Sequence, residues 1–323
     1  MTTSTGAVDD STFARGELEV KAMPLLKLGK LARLWRNARS WFAIIGLLSV
    51  AATLTGCGAV RLAYNNAPDL SYWWLDGYLD LDSPQSLKLR SDLQALQTWH
   101  RKEELPQIAD MLKNLQAAAP SNVTGEQVCQ LSRYLETRFQ TMLDRTTPTA
   151  LAIAPTLTLA QLDHLARAWD KRNQEWREEW MDGTPQDRLN RRMKSALDRT
   201  ESFYGRLSDT QKQALRAQLD ASAFDAATQY KETMRRQKDI LQTLRALKAT
   251  PSTELQQQAE VRALLLRSTQ SPDPAFQQYT ERIRSNFCES AAELHNGTSP
   301  AQRQKLQQTL QAYEADVRVL MQR

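Results

Sequence analysis

Five short signatures constrain this chain more than anything else in it. Asp82-Ser-Pro-Gln85, Thr124-Gly-Glu-Gln127, Thr158-Leu-Ala-Gln161, Ser208-Asp-Thr-Gln211 and Ser299-Pro-Ala-Gln302 each place a capping side chain three residues before a glutamine. In that spacing the Asp, Ser or Thr oxygen accepts the backbone N–H of the Gln, and the Gln amide reaches back to the cap's own N–H. Leu81, Val123, Leu157 and Leu207 stand just before four of these caps, where an apolar residue can staple the entering chain. Thr184-Pro185 and Asp273-Pro274 add cap-plus-proline starts. The caps recur at intervals of 42, 34, 50 and 91 residues, too uneven for a solenoid repeat.

Downstream of the caps, apolar residues recur at helical period. Leu89, Leu93 and Leu96 lead one stripe, which Leu105, Ile108, Leu112 and Leu115 continue past Pro106; Leu306, Leu310, Tyr313, Val317 and Leu320 form another. Only 11 Gly and 12 Pro occur in 323 residues, and no run alternates apolar and polar residues as a strand does. The expected fold is all-α: an elongated multi-helix bundle of about eight or nine helices. Between Ser208 and Pro251 neither Gly nor Pro intervenes, which predicts one long helix over about 208–248. A break is expected between Thr146 and Thr158, where Pro148 and Pro155 fall.

Upstream lies a different kind of segment. The apolar run Trp41 to Leu54 closes on Leu54-Thr55-Gly56-Cys57-Gly58, and Lys27, Lys30, Arg33, Arg36 and Arg39 precede it with no acidic residue between Lys21 and Cys57. A positive region, an apolar region and a small-residue cleavage site make a secretion signal. At 14 residues the run is shorter than the roughly 18–20 a spanning helix needs. Residues 1–56 are therefore read as a signal peptide and residues 57–323 as one mature helical domain without a firm internal boundary. Residues 1–22 fit neither a signal nor a folded element, and Met23 would open a signal of ordinary length. Leu54-Thr55-Gly56-Cys57 resembles a bacterial lipobox, which implies cleavage between Gly56 and Cys57 and lipidation of Cys57 on its sulfur and its new amino group.

Removing the signal changes two inferences. Seven of the 42 Lys and Arg, and four of the 37 Asp and Glu, lie before Cys57, so the remainder carries a net +2. A nearly neutral chain lacks the basic footprint of a nucleic-acid binder. Cysteine then reduces to Cys129 and Cys288, an even pair in a compartment that permits disulfides. Two readings stand open: a bond closing a loop of about 160 residues, or two buried thiols.

Candidate sites are few. His100 continues the Leu89, Leu93, Leu96 stripe, and Glu103 and Glu104 follow it by three and four residues, so a His and a carboxylate share one helix face beside Pro106. Such a pair suits general acid and base work, or is a buried histidine satisfied locally. Trp169, Trp176 and Trp180 share a helix face, read as a core stripe or as the wall of a ligand groove; Arg188, Arg191, Arg192, Lys194 and Arg199 form the densest basic patch, a solvated face or a contact for an acidic cell-wall polymer or headgroup. Tyr72, Trp73, Trp74 and Tyr78 crowd near Cys57 and are read as aromatics packed beneath the domain, the alternative being a dip into the membrane interface. Asp76 and Asp80, set among them, speak against deep insertion. No metal site and no cofactor motif is present in the pattern.

Tyr64-Asn65, Tyr78-Leu79-Asp80-Leu81 with Gln85, Trp99-His100-Arg101 through Glu104-Leu105-Pro106, and Phe203-Tyr204-Gly205-Arg206-Leu207-Ser208 with Gln211 resemble an uncharacterised family of helical bacterial envelope lipoproteins. The likeness covers most of the mature chain and implies no activity. Gly58 in place of Asp after the acylated cysteine resembles enterobacterial sorting to the outer membrane. The expected protein is a non-enzymatic lipoprotein, held by membrane lipid through Cys57 on the periplasmic face and offering a helical surface to an envelope protein or cell-wall component. The alternative is a peptidoglycan-directed envelope hydrolase using His100 and Glu104.

Overall fold

The computed structural model describes residues 57–322. The expected signal, the start at Met23 and Gly56 of the cleavage point lie outside them, as does the side chain of Cys57. Every regular element among the described residues is helical. The helices are α1 (Cys57–Asn65), α2 (Ala67–Leu79), α3 (Ser83–Trp99), α4 (Leu105–Ala118), α5 (Gly125–Ile153), α6 (Leu159–Trp180), α7 (Pro185–Tyr204), α8 (Asp209–Asp220), α9 (Ala226–Ala249), α10 (Glu254–Thr269), α11 (Pro274–Asn296) and α12 (Pro300–Met321). A π-helical turn, His100–Glu104, joins α3 to α4 without a break. Eight or nine helices is therefore too few.

All five capping boxes form, at the starts of α3, α5, α6, α8 and α12. The expected long helix does not. It stops at Asp220 and restarts at Ala226, because Asp225 takes up extended backbone and accepts the Thr228 N–H as a new cap. The intervening residues are held from outside, with the Ala223 N–H donating to Asn286 Oδ1 and Phe224 packing edge-on against Trp180. The break expected between Thr146 and Thr158 forms, but only at its C-terminal end: α5 runs through Pro148 to Ile153, and α6 starts at Leu159. The hydroxyls of Thr146 and Thr147 donate to the Leu143 carbonyl in the turn where the proline withholds its N–H.

Two apolar clusters hold the helices. Tyr72, Leu89, Ile153, Leu157, Leu162, Leu244 and Leu264 bring together α2, α3, the end of α5, α6, α9 and α10. Leu105, Ala109 and Leu112 of α4 meet Leu310, Val317 and Leu320 of α12 in the other, with Tyr64 of α1 at its side. α11 supplies a residue to neither; it lies along α5, where Cys129 and Cys288 are bonded with their Cα atoms 5.3 Å apart.

The glutamines of the boxes also join helix starts that are far apart in sequence. A Gln amide has two donors and two acceptor lone pairs, so one that caps its own helix has hydrogen bonds left. Gln85 of α3 and Gln161 of α6 face each other, Gln161 Nε2 donating to Gln85 Oε1 at 2.7 Å and to the Asp80 carbonyl at 2.8 Å, while Gln85 Nε2 donates to Thr156 Oγ1 at 3.0 Å. Gln211 of α8 and Gln302 of α12 repeat the arrangement: their amides exchange donors at 2.8 and 3.0 Å, Gln302 reaching the Arg206 carbonyl and Gln211 the Gly297 carbonyl. Asp80 and Arg206 each stand two residues before the first cap of their pair, so the two clamps are built alike.

Candidate functional site

The π turn at His100–Glu104 follows from Pro106. A proline has no N–H, and its ring collides with the carbonyl four residues back, here that of Lys102. One wider turn, closed by Leu105 N–H donating to the His100 carbonyl, lets the helix continue. It also turns His100 toward α1, where Nδ1 shares a 2.9 Å hydrogen bond with the Tyr64 hydroxyl. Arg101 donates to Asn65 Oδ1 at 2.7 Å, and Gln97 to the Tyr64 carbonyl. Burial holds the His100 imidazole below its usual range, opposed by the Glu104 charge, and pushes the Tyr64 phenol up against the opposing pull of Arg101. Glu104 points elsewhere: it is 4% exposed and meets Arg138 of α5 at 3.5 Å. The two residues proposed as an acid and base pair are thus near each other in charge but committed to different partners.

A second tyrosine and histidine pair has no counterpart in the sequence reading. Tyr204, at the end of α7, meets His295 Nδ1 at 2.9 Å, and His295 Nε2 lies 2.8 Å from the Ser121 carbonyl. A carbonyl only accepts, so Nε2 carries the proton and the Tyr204 hydroxyl donates to Nδ1. Burial lowers the His295 pKa, which the Ser121 bond partly offsets, and raises that of Tyr204 to about 12. Arg303 closes the same corner by donating to the Pro120 carbonyl and to Asn122 Oδ1. This is a latch between the loop before α5 and the turn before α12. No spacing in the sequence announces it, since 91 residues separate Tyr204 from His295.

The tryptophan stripe and the basic patch, separate features of the sequence, meet in one place. Trp176 stacks on both Trp180 and Tyr230, and Trp180 continues to Phe224. Trp169 is not part of this ladder. Trp180, Met181, Arg188, Arg192, Phe224 and Asp225 line a cavity of about 340 Å³. Arg192 lies over the Phe224 ring, 4.9 Å from its centroid, and donates to Ser222 Oγ; burial lowers its pKa despite the nearby Asp220 charge. Arg188 donates to the Met181 and Gly183 carbonyls. The cavity offers an aromatic wall and two arginines, features suited to an anionic group on a flat or apolar body.

Among the described residues no group of three or more His, Cys, Asp or Glu side chains is arranged to hold a metal ion. No described helix is long and apolar enough to cross a membrane. Of the aromatics near Cys57, Tyr72 packs into the core and donates to Ser86 Oγ, whereas Trp73 and Trp74 are exposed. A family model described as a family of unknown function, DUF6279, matches residues 77–269, well over half of the chain. No curated protein and no solved structure matches.

Proposed function

The chain belongs to DUF6279, a family of unknown function, and we propose that it is a non-enzymatic envelope lipoprotein, tethered through acylated Cys57 and presenting a helical surface to an envelope protein or cell-wall component. The observation that carries this reading is the Cys129–Cys288 bond. Cysteines form lasting disulfides in exported proteins, and here the bonded pair comes after a segment with the pattern of an export signal. Lipidation with more than one acyl chain anchors a protein stably. Delivery to the periplasmic face of the outer membrane follows, on this reading, from Gly58 after the cysteine.

Two features favour this over a hydrolase. Glu104 is closed beneath α5 in an ion pair, and the nearer nitrogen of His100 is engaged by Tyr64. A general acid or base must reach the proton it moves, and the buried, ion-paired Glu104 cannot do so without rearrangement. The contact surface of the proposed protein centres on the cavity of Trp180, Arg188 and Arg192. Metabolic labelling with a palmitate probe tests the anchor: the wild-type chain takes up label and Cys57→Ser does not. An unlabelled wild type overturns the anchor. Crosslinking in the native envelope tests the surface, with Arg192→Glu expected to remove the crosslinked product; an unchanged product pattern moves the contact elsewhere.

A further inference from the structure

Helix α2 has two unlike faces. Tyr72, Leu75 and Leu79 turn into the core cluster. On the opposite side, at the one-turn spacing that stacks residues along a helix, stand Leu70, Trp73, Trp74, Gly77 and Tyr78. Leu70 is 49% exposed, Trp73 62% and Trp74 64%, and Tyr78 packs its ring against Trp74 with centroids 5.1 Å apart. Other apolar side chains are exposed elsewhere, among them Leu135, Phe139 and Phe287, but among the described residues this stripe alone joins two exposed tryptophans to a third aromatic ring, a surface suited to an apolar neighbour. α1 adds Val60 and Leu62, both exposed.

We infer that this outward stripe of α2 is a lipid-contact surface, seated in the headgroup region of the bilayer that carries the acyl chains of Cys57. The inference rests on the anchored reading above and adds to it an orientation: the domain lies against the membrane by α2 instead of swinging on a free tether. Position identifies the occupant. Trp73 and Trp74 come 16 and 17 residues after Cys57, all within two short helices, which at about 1.5 Å per residue is a reach of no more than roughly 25 Å. A surface so close to its own anchor meets the bilayer before any other partner.

Chemistry agrees with position. Tryptophan and tyrosine are favoured at the membrane–water boundary, where a flat ring with one polar tip fits. The stripe carries no charge. Asp76, which the sequence placed among the aromatics, turns off it and accepts the Leu81 N–H at 3.0 Å. Asp69 and Asp80 are exposed near either end of the helix and set a shallow depth, as expected of a helix lying in the interface plane.

The test uses the acylated protein, purified and reconstituted into phosphatidylethanolamine vesicles with a minor share of phosphatidylglycerol, whose acyl chains carry bromine as a tryptophan quencher. Trp73 and Trp74 are two of the six tryptophans after Cys57, so seating them against brominated chains removes about a third of the emission. Trp73→Ser with Trp74→Ser, changes at exposed positions, abolishes that loss while leaving the helical circular dichroism unchanged. An acylated wild type whose emission is quenched no more than the variant's overturns the inference. So does self-association that the variant loses in the absence of quenching, which would assign the stripe to a second copy. A chain found without acyl label that still binds the vesicles and is quenched supports the stripe while overturning the anchor, and one that does neither overturns both.

Discussion

Replacing Cys129 and Cys288 together by alanine probes how α11 is held. That helix contributes to neither apolar cluster; it buries Phe276, Tyr279, Cys288, Ala292 and His295, and Cys288 carries its covalent link to α5. The ion pair from Arg284 to Glu136, at 3.1 Å, has a carboxylate that is 60% exposed and adds little in water. The cysteines are 159 positions apart, and on the loop-entropy argument a cross-link of that span removes enough freedom from the unfolded chain to stabilise the fold by about 5 kcal/mol. Alanine in place of Cys288, which is 1% exposed, leaves no unsatisfied polar group, so the loss reports the cross-link. Urea unfolding of the double variant is expected to fall short of wild type by about 3–5 kcal/mol, and amide exchange should quicken first in α11. Thiol titration of denatured, unreduced wild type should find neither Cys129 nor Cys288. A stability difference below about 1 kcal/mol, or two titratable thiols besides Cys57, would refute the reasoning.

Gln85→Leu should destabilise by about 1–3 kcal/mol, because the Gln161 amide loses its buried partner; a thermal melt checks this, and strict additivity with Gln161→Leu would deny that the two form a clamp. Lowering the pH from 7.5 should weaken the fold from about pH 6.5 downward. His295 and His100 are both held neutral by burial with depressed pKa values, so the unfolded chain binds their protons first, and each lowers stability by up to about 1.4 kcal/mol per pH unit until its folded-state pKa is passed. His295→Gln should remove one histidine's share of that slope in urea titrations at several pH values, leaving the share of His100, and an unaltered slope would assign it to another group. Glu104→Gln should cost about 2 kcal/mol, less than the 3–5 of a fully enclosed pair because Arg138 keeps some access to water. A variant of full stability that had lost a peptidoglycan-cleaving activity of the wild type would revive the hydrolase.

The alternation of cap and stripe makes the helical class readable because both are local. A cap needs four residues and a stripe about a dozen, and nothing distant has to agree with them. The same locality explains the errors. The turn at residues 221–225 has no Gly or Pro to mark it and depends on Asn286 and Trp180 from other helices. Pro148 reads as a stop, yet α5 passes it and ends only at Ile153. His100 and Glu104 are legible as one short stretch, but their partners, Tyr64 and Arg138, lie 36 and 34 positions away, and those partners set what each can do.

By itself the sequence determined the helical class, the five boxed helix starts and the export-like segment before Cys57, since each depends on residue types at short fixed spacing. Tertiary structure alone decided which boxes clasp each other, that Tyr72 turns inward while Trp73 and Trp74 face out, and that Trp180 of the tryptophan stripe and Arg188 and Arg192 of the basic patch line one cavity. Those outcomes depend on which helix faces cover one another, and that is settled by burial summed over the whole chain, a quantity no short stretch contains.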